Sequence, residues 1–186
     1  MELYAERGFE QTTVAEIAER AGLTERTFFR HYADKREVLF GGADQLNELL
    51  VNAVAYAPEA ATPLEAVATG LEAVGALLQG RREFARRRQA IISANPQLQE
   101  RELIKLASLA GAIAEVLRAR GVAGALAGLT GELAMAVFKA AFEQWVEQAD
   151  ERELPQVIRE SFEEMRALST PRRQTAPARR RRAAAR

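Results

Sequence analysis

The stretch TVAEIAERAGLTERTFFRHY, Thr13 to Tyr32, decides the fold at the start of this 186-residue chain. Thr13, with Glu16 three positions later, has the form of a capping box and predicts that a helix begins there. Gly22 predicts the end of that helix, because glycine readily adopts the left-handed conformation found at helix ends. Thr24 is placed to cap a second helix, which runs to about Tyr32. Two short helices joined by a glycine turn predict a helix-turn-helix.

Packing of the two short helices leaves one face of the second helix exposed. Ala18 is small where the second helix must cross closely, and Phe28 falls where an apolar side chain must fill the space between the helices. Tyr32 lies four residues after Phe28 and therefore points inward with it. The side chains that cannot all belong to the core are Glu25, Arg26, Thr27, Phe29, Arg30 and His31.

That exposed face carries side chains that suit DNA. At the N-terminal end of a helix in the major groove, arginine can donate two hydrogen bonds to guanine, and threonine can bond a base edge or touch a thymine methyl group. Thr24 and the free N–H groups of the first turn suit a phosphate, and Lys35 would add another phosphate contact. His31, the only histidine, is either a DNA contact or a packing residue. A metal site is not expected there, because no partner ligands lie nearby.

The run 3–40, which contains AERGFEQTTVAEIAERAGLTERTFFRHYADKREVLF, resembles the DNA-binding domain of TetR-type transcriptional regulators. The matching features are Arg-Gly-Phe, Thr-Thr-Val, Ile-Ala-x-x-Ala-Gly, the aromatic cluster that ends at Tyr32, and Lys-x-x-x-Leu. Phe29 departs from the usual tyrosine of the family, which removes one hydroxyl contact to phosphate. The resemblance implies base contacts by Glu25, Arg26, Thr27, Phe29 and His31, and phosphate contacts by Thr13, Thr24, Arg30 and Lys35.

Composition limits the remaining classes of function. Ala, Leu, Glu, Arg and Gln abound while glycine and proline are sparse, so we expect an all-α fold of about nine helices. The chain has no cysteine, which excludes disulfides and Cys-ligated zinc and fits a reducing compartment. The seven arginines after Pro171 leave 19 basic and 26 acidic residues for the rest of the chain, a net charge of −7. Bulk charge therefore does not attract the rest of the chain to DNA.

The sequence predicts three parts. They are a helix-turn-helix domain at 1–41, a helical effector-binding and dimerisation domain at 42–170, and a disordered Arg-rich tail at 171–186. Arg179–Arg182 in the tail would either contact phosphates without reading sequence or have no role. Asp34 is expected to cap one long helix from Lys35 to about Ala57, which would carry an effector signal to the DNA-binding end. Further helices are predicted at 63–79, 81–94, 97–119, 125–149 and 154–168.

In the family that the sequence resembles, the last two long helices pair with those of a second copy. Helices 125–149 and 154–168 each carry a wide apolar stripe, so we expect a homodimer through them; the alternative is that both stripes face their own core. The face of helix 81–94 that carries Phe84 and Ile91 also carries two arginines. A buried arginine needs a partner, which is either an anionic effector or a glutamate. The predicted effector pocket consists of Arg87, Arg88, Phe138, Phe142 and Trp145.

Segment 81–121 loosely resembles the C-terminal domain of a subgroup of these regulators associated with mycofactocin-type and acyl-CoA-type ligands. The function implied is a cytoplasmic, nucleoid-associated homodimeric repressor, released from a near-palindromic operator by a small-molecule effector. No nucleophile–base pair, metal cluster or phosphate-binding loop is visible, so we expect neither an enzyme nor a cofactor. No uninterrupted apolar run approaches the roughly 20 residues that a membrane-spanning helix needs. Because Met1 falls inside the first helix of the family pattern, the alternative is a ligand-binding dimer that has lost DNA binding through N-terminal truncation.

Overall fold

The computed structural model describes residues 1–148 and 152–168, and within these ranges the chain is helical without a strand. These described residues form nine α-helices and two short 3₁₀ helices, here called η1 and η2. In chain order they are α1 Glu2–Arg7, α2 Val14–Arg20, α3 Glu25–His31, η1 Lys35–Leu39, α4 Ala43–Ala55, α5 Pro63–Leu78, η2 Gln79–Arg81, α6 Arg82–Ser93, α7 Pro96–Ala119, α8 Gly124–Glu147 and α9 Leu154–Leu168. The all-α prediction is confirmed, and the predicted tail at 171–186 lies outside the described residues.

The helix-turn-helix forms as its caps predict. The Thr13 side chain accepts a hydrogen bond from the Glu16 N–H, and the Glu16 carboxylate accepts one from the Thr13 N–H, which completes the capping box. Thr24 accepts a hydrogen bond from an N–H in the first turn of α3. Gly22 has a φ of +68°, a conformation that favours glycine. Phe28 is buried between α2 and α3, as its position predicts.

The predicted continuous helix from Lys35 to Ala57 is wrong, because the chain divides it in two. Asp34 does cap a helix, but that helix is the short 3₁₀ helix η1. α4 begins only after Gly41 and Gly42. Gly42 has a φ of +83°, which lies outside the helical region and is open mainly to glycine. The Gly-Gly dipeptide was the sequence signal for this break.

Residues 43–148 and 152–168, here called the body, enclose a large hydrophobic core. Trp145, Phe162 and Leu50 are among its largest fully buried side chains. α7 and α8 are joined by a short loop and approach closely. A Cβ atom at Gly131 of α8 would lie 2.4 Å from the carbonyl oxygen of Ala110 in α7. Glycine at position 131 is therefore required by the closeness of the two helices.

Residues 1–40, here called the head, share a second apolar cluster with the body. α1 and η1 of the head meet α6 and α7 of the body in this cluster. Its buried members are Tyr4, Phe9, Leu39, Phe40, Ile91, Ile92 and Leu98. The Tyr4 hydroxyl also donates to the Lys35 carbonyl at 2.5 Å, which holds α1 against η1. Burial raises the pKa of Tyr4, so its phenol remains a neutral donor.

By its length and composition alone, α8 is apolar enough to cross a membrane. The helix packs in the body against α7 and α9, where Ala134, Ala141 and Trp145 are fully buried. A core helix can have the composition of a membrane-spanning one, and packing in the body explains the composition of α8.

Candidate nucleic-acid interface and effector region

α3 presents the predicted base-contacting side chains at the surface of the head. Glu25, Arg26, Phe29, Arg30 and His31 are exposed, and Thr27 is half-buried. Phe29 remains 54% exposed even though its ring packs edge-on against Phe28, with centroids 5.4 Å apart. His31 is exposed, which excludes the packing alternative, and its Nε2 lies 3.4 Å from the Arg30 guanidinium.

Net charge does not mark the head as a DNA-binding surface. Residues 1–40 carry eight acidic and six basic side chains, a net charge of −2. The pairs formed inside the head are Arg7 with Glu16, Arg20 with Glu2 and Glu6, and Arg36 with Asp34. Arg26, in the first turn of α3, is the one basic side chain of the head without a hydrogen-bond or ion-pair partner among the described residues. The N-terminal end of α3 is therefore distinguished by the guanidinium of Arg26, unpaired within the described part of the chain, and not by the net charge of the head.

Lys35 is engaged inside the head. Its ammonium group donates to the carbonyl oxygens of Phe9, Glu10 and Thr12 at 2.8, 3.1 and 3.0 Å. It also lies 4.5 Å from the centre of the Phe9 ring. An ammonium group has three donor hydrogens, so these bonds use all of them. Lys35 therefore holds the turn between α1 and α2, and a phosphate contact would compete with that role.

Thr13 and Thr24, the two threonines predicted to bind phosphate, differ in whether their hydroxyl hydrogen is available to a phosphate oxygen. The Thr13 hydroxyl donates to Glu16 at 3.0 Å. Together with the Thr13 backbone N–H and the nearby Arg7, it lowers the pKa of the Glu16 carboxyl. The Thr24 hydroxyl lies 3.1 Å from the Thr27 hydroxyl, and either can be the donor. Thr24 can therefore donate to a phosphate when Thr27 donates to it.

The two arginines of the predicted effector pocket lie in different surroundings. Arg87 is exposed and pairs with Glu83 of its own helix at 2.9 Å, so it is not the arginine that reaches the interior. Arg88 pairs with Glu102 of α7 at 2.9 Å, and both side chains are only 19% exposed. Its partner is thus a glutamate, one of the two alternatives. Successive residues on a helix lie about 100° apart, which puts neighbouring arginines in different environments.

A different arginine meets the aromatic side chains of α8. Phe138, Phe142 and Trp145 follow one another, with ring centroids 6.0 and 5.8 Å apart. Arg82 lies over the Trp145 ring at 5.5 Å and donates to the Trp145 carbonyl oxygen at 2.9 Å. Trp145 is fully buried, and its indole N–H has no acceptor among the described residues. The sequence does not reveal Arg82 as a neighbour of Trp145, because 63 positions separate them.

A groove of about 540 Å³ lies between the head and α6. Leu3, Ile17, Val38 and Phe84 form much of its apolar lining, and Arg87 lies at its edge. The other four residues of the predicted effector pocket do not line it. This groove therefore does not bring the predicted pocket residues together.

The chain joins a helix-turn-helix head to a body of six α-helices among the described residues. This arrangement is typical of transcriptional regulators that carry a helical domain besides the DNA-binding one. The family profile of bacterial regulatory proteins of the tetR family matches residues 1–40. The chain belongs to the TetR family. Its body matches the profile of the MftR C-terminal domain over residues 61–169, more than half of the chain. Family membership confirms the prediction of a regulator rather than an enzyme.

Two known proteins show how far the likeness extends. The HTH-type transcriptional regulator TcmR of Streptomyces glaucescens is 38% identical over 74 residues, which are 40% of this chain and 33% of that protein. The match thus spans about a third of the length of this curated relative. FadR of Thermus thermophilus, a TetR family transcriptional repressor solved in complex with lauroyl-CoA, superposes with a TM-score of 0.60. That superposition covers 95% of this chain and 94% of FadR at 23% identity, which shows a shared fold.

Proposed function

We propose that the chain is a homodimeric repressor that binds a near-palindromic DNA operator and leaves it when a small-molecule effector binds. It acts in the cytoplasm and is associated with the nucleoid through its DNA sites. Membership of the TetR family supports the regulatory class.

Arg26 carries the proposal of DNA binding. Its guanidinium has no partner among the described residues, so no internal hydrogen bond must break before it donates to guanine O6 and N7. The other basic side chains of the head already have acceptors or ring partners nearby. The first turn of a helix in a helix-turn-helix is also the part that enters the major groove.

The other contacts follow from exposure on the same face. Proposed base contacts are Glu25, Arg26, Thr27, Phe29 and His31, and proposed phosphate contacts are Thr13, Thr24 and Arg30. Lys35 is not included, because its three donors serve backbone carbonyls. The alternative of a dimer that no longer binds DNA is not favoured, since α2, the turn and α3 are all capped and packed.

The proposed dimer uses an outward apolar seam on α8. Leu126, Leu129, Leu133, Ala136 and Ala140 recur at spacings of three and four residues, the pattern of a helix that packs against another helix. Leu129 is 65% exposed. The apolar stripe of α9 is buried in its own body at Leu154, Val157, Ile158 and Phe162. The contribution of α9 to the dimer is therefore limited to its C-terminal end, where Leu168 is exposed.

The proposed effector region is the aromatic series Phe138, Phe142 and Trp145, with Arg82 in place of Arg87 and Arg88. An unsatisfied buried N–H costs about 1–3 kcal/mol, so a ligand oxygen that accepts from Trp145 would be favoured. The half-buried rings of Phe138 and Phe142 suit an apolar chain. The lauroyl-CoA in the Thermus FadR structure supports an acyl-CoA as the class of ligand.

Selection of random double-stranded DNA by the full-length protein tests the proposed function. The expected product is a near-palindrome, because a two-fold dimer presents two copies of α3. Its half-sites should lie about 10 base pairs apart, or a multiple of this spacing. Enrichment of no sequence, or of a single asymmetric half-site, would contradict the proposal.

A further inference from the structure

The helical connection between head and body does not fix the direction of the head. η1 ends at Leu39, and α4 begins at Ala43 without a side-chain cap. Gly41 and Gly42 lie between them, and glycine has the largest backbone freedom of any residue. α4 therefore does not act as a rigid extension of the head, and other contacts must determine how the head is held.

Arg88 of α6 makes two such contacts with the head, and its guanidinium also pairs with α7 of the body. Its Nε donates to the Leu39 carbonyl at 2.7 Å, and an Nη donates to Glu102 of α7 at 2.9 Å. The guanidinium also lies 5.0 Å from the centre of the Phe40 ring. Arginine can bond along its edges and stack with its face at the same time, which lysine cannot. Arg88 thus joins α6, α7 and the last residues of the head.

Glu37 of η1 makes the matching contact from the head side. Its carboxylate pairs with Arg101 at 2.7 Å and with Lys105 at 3.2 Å, both on α7. The Glu37 side chain is only 19% exposed, so water screens these pairs less than it screens surface pairs. Lys105 in addition lies 5.6 Å from the centre of the Phe40 ring. The head is therefore held to the body by charged side chains on both sides of η1.

We infer that Arg88 is a positioning residue for operator recognition. It sets the direction of the head on the body, and this direction sets the distance between the two α3 helices of the dimer. This inference rests on the proposed function for its consequence at DNA, but its structural part does not. One bond of Arg88 goes to the head and one to α7, so relative movement of α6 and α7 must stretch one of them. The ion pair between Glu37 of the head and Arg101 of α7 also restrains the head on the body.

The structural part is tested without DNA by single-molecule energy transfer. The chain has no cysteine, so dyes can be attached through Glu19→Cys on α2 and Ala76→Cys on α5, both exposed positions. Labelled protein is diluted into unlabelled protein, so that each dimer carries one labelled copy. The expected result is one narrow distance distribution for this protein and a broad or shifted one for Arg88→Met. A distribution unchanged by Arg88→Met would overturn the inference.

Two further variants separate positioning from general destabilisation. Arg87→Met removes the neighbouring arginine, whose ion pair is with Glu83 of its own helix, and should leave the distribution narrow. Arg88→Met combined with Glu102→Gln removes the unpaired buried carboxylate that the single change leaves behind. The broad distribution should persist in this double variant, because the bond to the Leu39 carbonyl is still missing. A return to the narrow distribution would mean that the carboxylate caused the effect, and would also overturn the inference.

The consequence at DNA is tested with the selected operator and with versions that have base pairs inserted at its centre. Arg88→Met should reduce the preference for the selected spacing by about tenfold, the ratio expected for loss of one charge-assisted hydrogen bond. Base preferences within each half-site should not change. A broad distance distribution combined with failure of unaltered protein to select any DNA would reject the proposed function but not the positioning role. Unchanged spacing preference in Arg88→Met would reject the role at DNA.

Discussion

At the scale of single residues, partners decide which basic side chains are available to DNA. Arg26 and Lys35 are both basic residues at the start of a helical element, and the sequence assigns both to DNA. Lys35 instead donates to three carbonyls of the turn between α1 and α2, while Arg26 donates to no described group. Sequence reasoning could identify both as polar residues near the helix-turn-helix. It could not predict the carbonyls that Lys35 meets, which lie more than 20 positions away in the chain.

Lys35→Ala should therefore reduce stability and leave the salt dependence of DNA binding unchanged. Loss of a charged donor from three carbonyls, of which those of Phe9 and Thr12 are partly buried, is expected to lower the free energy of unfolding by about 1–3 kcal/mol. Thermal unfolding measures this loss. Arg30→Ala, at an exposed position of α3, is the control and should change stability by no more than about 0.5 kcal/mol. If Lys35→Ala instead keeps full stability and lowers the salt slope by about one unit, Lys35 binds phosphate as first predicted.

At the scale of elements, local sequence signals predict where helices begin better than which way they face. The caps at Thr13 and Thr24 predict α2 and α3 correctly, because a cap involves residues only three positions apart. α8 is apolar around much of its circumference, so its sequence alone does not separate the buried face at Val137 and Ala141 from the exposed face at Leu129. That division depends on α7 and α9, which cover one side of the helix.

Leu129→Glu should weaken the proposed dimer. A carboxylate at the centre of the α8 seam would be buried without a partner, which costs more than the lost apolar contact. We expect the dimer dissociation constant to rise at least about thirtyfold, which corresponds to about 2 kcal/mol for a hot-spot residue. Sedimentation equilibrium measures it. Leu77→Glu, at an exposed leucine of α5, is the matched control; equal dimerisation in both variants would place the interface elsewhere.

At the scale of the whole molecule, charge is separated along the chain. Residues 1–40 carry a net charge of −2, while the segment after Pro171 carries seven arginines and no acid. We propose that this segment supplies the attraction to phosphates that the head lacks.

Removal of residues 169–186 should reduce the salt dependence of operator binding. The slope of log Kobs against log salt changes by about 0.9 for each phosphate that is neutralised, so seven arginines can contribute up to about six units. Base preferences should stay the same, because phosphate contacts carry no sequence information. Titrations of operator at several salt concentrations measure the slope. A slope equal to that of the full chain would leave the tail without this role.

Effector binding can be followed at the single tryptophan of the chain. Because Trp145 lies in the proposed effector region, lauroyl-CoA should change its fluorescence in a saturable way, and coenzyme A without the acyl chain should not. Trp145→Phe retains the aromatic ring and loses the N–H. Calorimetry should then show binding about 2–10-fold weaker, as expected for one neutral hydrogen bond. Saturable binding without a fluorescence change would place the ligand elsewhere, and absence of binding would exclude lauroyl-CoA as an effector.

The central claim is that α3 reads bases through Arg26, and operator affinity across single-base variants tests it most directly. Arg26→Ala should lose about 1–3 kcal/mol on the selected operator and become indifferent to the base at one position in each half-site. Arg20→Ala, which removes an arginine already paired with Glu2 and Glu6, should keep every base preference. If Arg26→Ala weakens all operator variants by the same factor, or binds them as tightly as the unaltered protein does, Arg26 does not read a base and the account of recognition by α3 is contradicted.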